Sequence, residues 1–165
     1  MKIFSYKKFK HGFTLIEVLI ACTIISTTTF ALMSASTKGI QLSMQAVRQT
    51  QASFLLEEGA EAIKSIRDAS WTNISGLTLD TNYYLTFNTG TNTWSLGTTA
   101  TPSIDSIFTR TVVVSAVNRD ANDDIAVSGT VDTRTKKVTV TTSWTLADAT
   151  TSSKTLAFYM SDIFN

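Results

Sequence analysis

The chain has 165 residues, 43% hydrophobic and 16% charged, which allows one folded domain plus a membrane anchor and excludes two full domains. The formal charge of +1 is unevenly spread, because four lysines precede Gly12 while all 13 acidic residues follow it. The larger part is therefore mildly acidic, and we expect no nucleic-acid partner. A single cysteine, Cys22, excludes an intramolecular disulfide, and a single histidine, His11, excludes a histidine-dependent triad or metal site after Gly12.

The first predicted element is an apolar helix. Residues 13–33 carry one charge in 21 positions, and as a helix they would be about 30 Å long, the thickness of a bilayer core. The lysines in front of it predict a cytoplasmic amino terminus and a carboxy-terminal part on the other side. A buried core helix is one alternative. A cleaved secretory signal, with Ser34 to Ser36 as its cleavage site, is the other.

The start of this helix has a feature that neither alternative explains. In the stretch "HGFTLIEVLIA", the acid Glu17 lies five residues after Gly12 and within the apolar run. An acid in the centre of a bilayer costs about 2.5 to 3.5 kcal/mol, and less near the interface. A conventional anchor or signal needs no such residue.

This stretch resembles the leader and amino-terminal helix of type IV pilins and type II secretion pseudopilins. The resemblance implies that a prepilin peptidase cuts between Gly12 and Phe13, and that Phe13 becomes the N-methylated terminus. It also implies that Glu17 meets the terminal amine of a neighbouring subunit when helices pack in a filament, so that the two unfavourable charges offset each other.

An amphipathic helix follows the anchor without a break. Residues that are mostly apolar or small recur at helical spacing, and this stripe is predicted to pack on a sheet. Its members are Ile40, Met44, Val47, Phe54, Glu58, Ala62 and Ile66. Asn73, Ser75 and Gly76 suggest where the helix ends.

The remaining segments are predicted strands, because β-branched and aromatic residues alternate between turn-forming clusters. They are "YYLTF", "NTWSL", "IFTRTVVVSAV", "DIAVSGTVD", "KKVTVTTSWTL" and "KTLAFYM". In the fifth, one face is predicted to meet the helix, and its members are Val138, Val140, Thr142, Trp144 and Leu146. The helix end and these strands are similar to those of PilV-type minor pilins. Many major pilins close a carboxy-terminal loop with a disulfide, which a chain with one cysteine cannot form. This departure favours a minor pilin or pseudopilin, or a lineage that dispenses with the disulfide, and it does not choose between them.

Candidate chemistry in the strand-rich part is limited. Asp120, Asn122 and Asp124 have the alternate spacing of a calcium loop, but Ile125 stands where such a loop needs glycine, so we expect a polar hairpin turn. Glu57, Glu58 and Glu61 suggest a paired-carboxylate site, for which a solvated helix face is the favoured interpretation. The tryptophans and tyrosines suggest either a ligand platform or, as we expect, core residues.

The sequence thus predicts an α+β pilin fold, with a long amino-terminal helix packed on an antiparallel sheet, and no enzyme activity or cofactor. The expected parts are the leader (1–12), the membrane and assembly helix (13–36), its amphipathic half (37–70) and a β-rich part (71–165). The expected function is that of a minor pilin or pseudopilin. The expected partners are prepilin peptidase, other pilin subunits, an inner-membrane assembly platform and lipid. The alternatives are a membrane-tethered adhesin or carbohydrate-binding module that does not assemble, and, more weakly, a DNA-capturing pilin.

Overall fold

The computed structural model describes residues 12, 14–101, 103–146 and 148–163. Helix α1 spans Leu15–Ala69, and the short helix α2 spans Thr72–Ser75. The strands in the described residues are β1 (Asn82–Asn88), β2 (Thr93–Gly97), β3 (Phe108–Arg119), β4 (Ile125–Ala126), β5 (Thr130–Thr145) and β6 (Thr151–Ser161). This order of one long helix followed by strands confirms the predicted α+β fold class.

The chain forms two compact units, and α1 contributes residues to both. The N-terminal unit is Met1–Met44, and its described part is almost entirely α1. The C-terminal unit is Gln45–Asn165 and contains the rest of α1, α2 and the sheet.

The strands form one antiparallel sheet in the order β2-β1-β3-β5-β6, with β4 paired to the end of β3. The pairing of β3 with β5 covers twelve residue pairs and shifts register between Ala116 and Val117. The pairing of β5 with β6 covers eleven residue pairs without a shift. The centre of the sheet is therefore the long β3 and β5 pair, and β2 and β6 are its edges.

The core of the C-terminal unit lies between α1 and one face of this sheet. Val138, Val140, Thr142 and Trp144 are at most 2% exposed, which confirms the face predicted for this strand. Their neighbours on β3, Val112 and Val114, are fully buried. Fully burying a side chain of this kind contributes about 1.5 to 3 kcal/mol, so this layer holds the helix on the sheet.

The helix face that meets the sheet differs from the predicted stripe. Ala62 and Ile66 are buried as expected, but Val47 and Phe54 are 55% and 64% exposed. The buried face instead consists of Ala52, Leu56, Gly59, Ala60, Ala62, Ile63 and Ile66. The small residues matter here, because a Cβ at Gly59 would lie 3.0 Å from Val140 Cγ1. The helix can approach the sheet closely only where its residues are small, such as glycine and alanine. The predicted stripe was chosen mainly by large apolar residues and therefore missed this face.

The predicted strand "DIAVSGTVD" is wrong as a single strand. The structure has the two-residue β4, a bend, and then the start of β5 at Thr130. Arg119, at the end of β3, pairs with Ile125 of β4 and with Thr130 of β5, so the chain must turn between these two partners. Gly129 makes the turn with φ of 144°, and a Cβ there would lie 2.1 Å from the Arg119 carbonyl oxygen. Glycine is required at this position.

The aromatic residues mostly serve the core, as expected. Trp144 and Tyr83 are 2% and 6% exposed, and the Tyr83 hydroxyl accepts a hydrogen bond from the Thr78 backbone N–H at 2.8 Å. Trp71 and Trp94 are partly buried and pack against the core cluster that contains Tyr83. These four side chains therefore do not form an exposed ligand platform.

Candidate functional site

The start of α1 is built around Thr14 and Glu17. The Glu17 carboxylate accepts hydrogen bonds from the Thr14 backbone N–H at 3.3 Å and from the Thr14 hydroxyl at 3.4 Å. The Glu17 backbone N–H donates to the Thr14 carbonyl at 3.0 Å. The sequence T-x-x-E is a capping-box pattern, in which the acid reaches back to satisfy an N–H group at the helix start. This signal could have identified Thr14 from the sequence, and our sequence analysis missed it.

The Glu17 carboxylate can accept further hydrogen bonds beside those from Thr14. Its side chain lies in the exposed first turn of α1, where the helix macrodipole favours negative charge. A carboxylate offers about four lone-pair sites, so contact with Thr14 leaves room for a further donor such as an ammonium group. Gly12 is described, while Phe13, the predicted terminus after processing, lies outside the described residues. The predicted contact between Glu17 and a terminal amine therefore stays a prediction.

Helix α1 continues from this turn as an apolar helix with exposed side chains. Within the described residues it is the one helix that is long and apolar enough to cross a membrane, judged by length and composition. Its most apolar 18-residue window has a mean hydropathy of 2.0, and none of that window is buried. Exposed large residues of this kind include Leu15, Ile16, Leu19, Ile24, Phe30 and Leu32. Such a surface is suited to lipid or to other apolar helices.

The hydroxyl groups in this apolar segment bond to the helix itself. Ser26 donates to the Cys22 carbonyl at 2.7 Å, and Thr29 donates to the Ile25 carbonyl at 2.8 Å. Thr27 and Thr28 each contact two carbonyl oxygens of the preceding turn at 2.9 to 3.0 Å. The helix is continuous through these residues. Because each hydroxyl has a partner within the helix, the polar run remains compatible with an apolar environment.

The acidic turn after β3 is held by its own hydrogen bonds. One carboxylate oxygen of Asp120 accepts the backbone N–H groups of Asn122 at 2.8 Å and Asp124 at 3.0 Å. The Asp120 N–H in turn donates to the Asp124 carbonyl at 2.9 Å. Across the described ranges, no group of three or more His, Cys, Asp or Glu side chains is placed to hold a metal ion. The arrangement is that of an Asx-type turn.

Two of the three candidate carboxylates on α1, Glu58 and Glu61, have separate partners, and Glu57 is exposed. Glu58 lies 2.7 Å from the Arg110 guanidinium of β3, and Glu61 lies 2.6 Å from Lys64 of the same helix. Glu58 is about half exposed, whereas the Arg110 side chain is only 5% exposed. The solvated-face interpretation therefore fits Glu61, while Glu58 ties the helix to a buried arginine that our sequence analysis missed. Arg110 alternates in step with the buried Phe108 and Val112, and that parity is the signal that identifies it.

A charged cluster around Arg119 and Asp132 joins the end of β3 to the start of β5. Arg119 Nε donates to Asp132 at 2.7 Å, and the other Asp132 oxygen accepts the backbone N–H groups of Arg134 and Thr135. The hydrogen bond from Arg119, together with those from Thr135 and Arg134, holds the pKa of Asp132 far below its ordinary value of 3.8. The hydrogen bond to Asp132 likewise raises the pKa of Arg119.

The lowered pKa of Asp132 predicts how stability depends on pH. Because the folded state favours the charged carboxylate, its contribution to stability is complete above the unfolded-state pKa and is lost as pH falls below about 4. The denaturation midpoint of Asp132→Asn should therefore lie furthest below that of the wild type at pH 7. The difference should shrink below about pH 4. Tryptophan fluorescence during urea titration measures both midpoints.

The matched control for this experiment is Asp105→Asn, at an exposed aspartate with positive φ that asparagine also tolerates. Its midpoint should stay close to that of the wild type at both pH values. A difference for Asp132→Asn that is independent of pH would contradict the charge-stabilising role of the cluster.

Comparison with known proteins bears on the start of α1. The prokaryotic N-terminal methylation motif matches residues 7–33, which include Gly12 and Glu17. No match to the chain was found among curated proteins or solved structures. The motif implies processing by a prepilin peptidase and assembly with other pilins, and its class is structural rather than enzymatic. The motif and the apolar helix together fit a membrane-anchored single-pass protein and point to a type IV pilin-like or pseudopilin protein.

Proposed function

We propose that this chain is a minor pilin or pseudopilin, a structural subunit of a type IV pilus or type II secretion pseudopilus. The observation that carries the proposal is the N-terminal methylation motif at residues 7–33, coincident with an exposed apolar helix that has one acid in its first turn. The lysines before Gly12 support a cytoplasmic amino terminus, with the sheet on the other side of the membrane.

The proposed maturation begins at Gly12. Prepilin peptidase removes residues 1–12 on the cytoplasmic side and methylates the new terminus at Phe13. The mature chain then begins with a cationic amine close in sequence to Glu17. Both charges lie at one end of an apolar helix, where each is unfavourable without a partner of opposite sign. When subunits pack, the Glu17 carboxylate of one subunit is the partner of the Phe13 amine of its neighbour.

The exposed surface of α1 supports assembly by packing. In the C-terminal unit, the sheet covers the face around Ala52 and Leu56, while Val47 and Phe54 remain more than half exposed. In the N-terminal unit, the large apolar residues of α1 are exposed along its length. A helix that is apolar around its circumference needs an apolar environment, and a membrane followed by a helical bundle provides one. We place the transfer of the helix from the membrane into the bundle at the assembly platform of the inner membrane.

Processing provides the test of this proposal. When the chain is expressed with a prepilin peptidase, its intact mass should show loss of residues 1–12 and gain of one methyl group on Phe13. Expression without the peptidase is the control and should leave residues 1–12 in place. A product that begins near Ser36 or Thr37 would instead establish a secretory signal and would contradict the proposal.

A further inference from the structure

Three polar atoms in the core of the C-terminal unit have no hydrogen-bond partner among the residues that the structure describes. They are Arg110 Nε, Thr142 Oγ1 and Trp144 Nε1. Their residues are at most 6% exposed, so bulk solvent does not reach these atoms. An unpaired buried donor lowers stability, and buried polar groups in folded proteins are almost always paired. Three such atoms in a core of this size point to a ligand that binds them.

The strand register brings the three side chains together. Arg110 of β3 lies directly opposite Thr142 of β5, and Trp144 is two residues farther along β5. All three residues alternate in step with the buried residues of their strands, so they share the sheet face that meets α1. Opposite residues have Cβ atoms about 4.5 to 5.5 Å apart, and diagonal neighbours lie about 7 to 8 Å apart. One small molecule is therefore within reach of all three side chains.

Helix α1 covers this part of the sheet face. The Leu55 carbonyl accepts a hydrogen bond from Arg110 Nη1 at 3.0 Å. The Leu55 side chain packs against the buried cluster that contains Trp144 and Phe108. The arginine and the tryptophan thus contact the same residue of the helix, and a molecule bound between them would lie between helix and sheet.

The chemistry of the three atoms specifies the ligand. Arg110 Nε and Trp144 Nε1 each carry one N–H group and can only donate, whereas the Thr142 hydroxyl can donate or accept. The ligand must accept two hydrogen bonds, which excludes a metal cation. A water molecule and a small anion such as chloride both meet this requirement.

The charge balance at the site favours water. The Arg110 guanidinium already lies 2.7 Å from the Glu58 carboxylate. An anion bound to the same arginine would leave one net negative charge among buried side chains, which is costly. A water molecule is neutral, accepts from both N–H groups and donates to the Thr142 hydroxyl. These are the three hydrogen bonds that are typical of a buried water.

We propose that Arg110, Thr142 and Trp144 bind one water molecule between α1 and the sheet. Because Arg110 also donates to Glu58 and to the Leu55 carbonyl, the water completes a polar link from the helix through β3 to β5. A buried water with three partners is part of the structure and is costly to remove.

Thr142→Val tests the proposal by the sign of its effect. Valine is close to threonine in shape and in preference for strands, but it has no hydroxyl. Removal of a hydroxyl that binds nothing would leave stability unchanged or raise it. Loss of the water site instead leaves two buried N–H groups unpaired, so the folding equilibrium constant should fall by about tenfold. Urea titration of the full chain in detergent, followed by tryptophan fluorescence, measures this constant.

The matched control is Thr139→Val. Thr139 lies on the opposite face of the same strand and is partly exposed, so solvent can reach it. Its substitution should change the folding equilibrium constant by no more than about twofold. A Thr142→Val variant that is as stable as the wild type, or more stable, would overturn the proposal.

Diffraction from crystals of the full chain in detergent locates the ligand and identifies it. We expect one density peak within about 3.2 Å of all three atoms. Crystals grown in bromide should show no anomalous signal at this peak, because bromide replaces chloride but not a neutral water. The absence of density between the three atoms would overturn the proposal, and so would an anomalous bromide peak at that position.

Discussion

Glu17→Val is expected to abolish assembly while leaving insertion and processing intact. The substitution removes a charge from an apolar helix, so membrane insertion should be at least as favourable as in the wild type. The bond between Gly12 and Phe13 is unchanged and should still be cut. In the filament, the Phe13 amine of a neighbour would lack its partner, and breaking a buried ion pair from one side costs about 3 to 5 kcal/mol. Crosslinking to other pilins should fall by about 100-fold or more.

Two further variants separate the charge of Glu17 from its role at the helix start. Glu17→Gln keeps an acceptor for the Thr14 N–H and preserves the capping pattern without the charge, so it should fail to assemble as Glu17→Val does. Thr14→Val removes the hydroxyl contact and keeps the charge, so it should assemble. Crosslinking is measured at matched levels of processed protein. Normal assembly of Glu17→Gln would show that the cap, rather than charge pairing, explains the acid.

Arg110→Ala is expected to destabilise the C-terminal unit strongly. The Arg110 guanidinium donates to Glu58 at 2.7 Å and to the Leu55 carbonyl at 3.0 Å, and it lies 5.5 Å from the centre of the Trp94 ring. Truncation removes these contacts and leaves a cavity beneath α1. Large-to-small substitutions at buried sites cost about 2 to 5 kcal/mol. Urea titration of the full chain in detergent should detect this loss by tryptophan fluorescence, since all three tryptophans lie in the C-terminal unit.

The matched control is Arg110→Met, which retains most of the volume and removes the charge. Replacement of a buried ion pair by an apolar side chain of similar size is often neutral, and Glu58 is exposed enough to be solvated once its partner is gone. Arg110→Met should therefore be much closer to the wild type than Arg110→Ala. Equal losses in the two variants would mean that the ion pair, rather than packing, holds the helix on the sheet.

Much of the fold could be predicted because local patterns agree with the tertiary structure. The alternation in β5 predicted its buried face correctly, since period two depends only on which side of the strand meets the core. The apolar run at residues 13–33 and the capping pattern T-L-I-E at residues 14–17 are also local features, and they indicate a helix and its start. The candidate processing and assembly site at Gly12, Phe13 and Glu17 was predicted because this stretch resembles the start of pilins and pseudopilins. The methylation motif matched at residues 7–33 supports the pilin type.

The errors arose where contacts distant in sequence decide the outcome. The stripe through Val47 and Phe54 has good helical spacing, but the sheet approaches the side of α1 that carries Ala52 and Gly59, because small residues permit closer packing. The division of "DIAVSGTVD" into two strands depends on Arg119 having a pairing partner on each side. Neither fact is contained in local hydropathy.

The most direct test of the account is the identity of the amino terminus in assembled material. Filaments sheared from cells that express this chain should contain a peptide that begins at N-methylated Phe13, and the Glu17→Val variant should be missing from the sheared fraction while present, processed, in the membrane. That result would join processing, methylation and assembly in one measurement. Detection of the chain only in the membrane fraction, with residues 1–12 retained or with a terminus near Ser36, would contradict it.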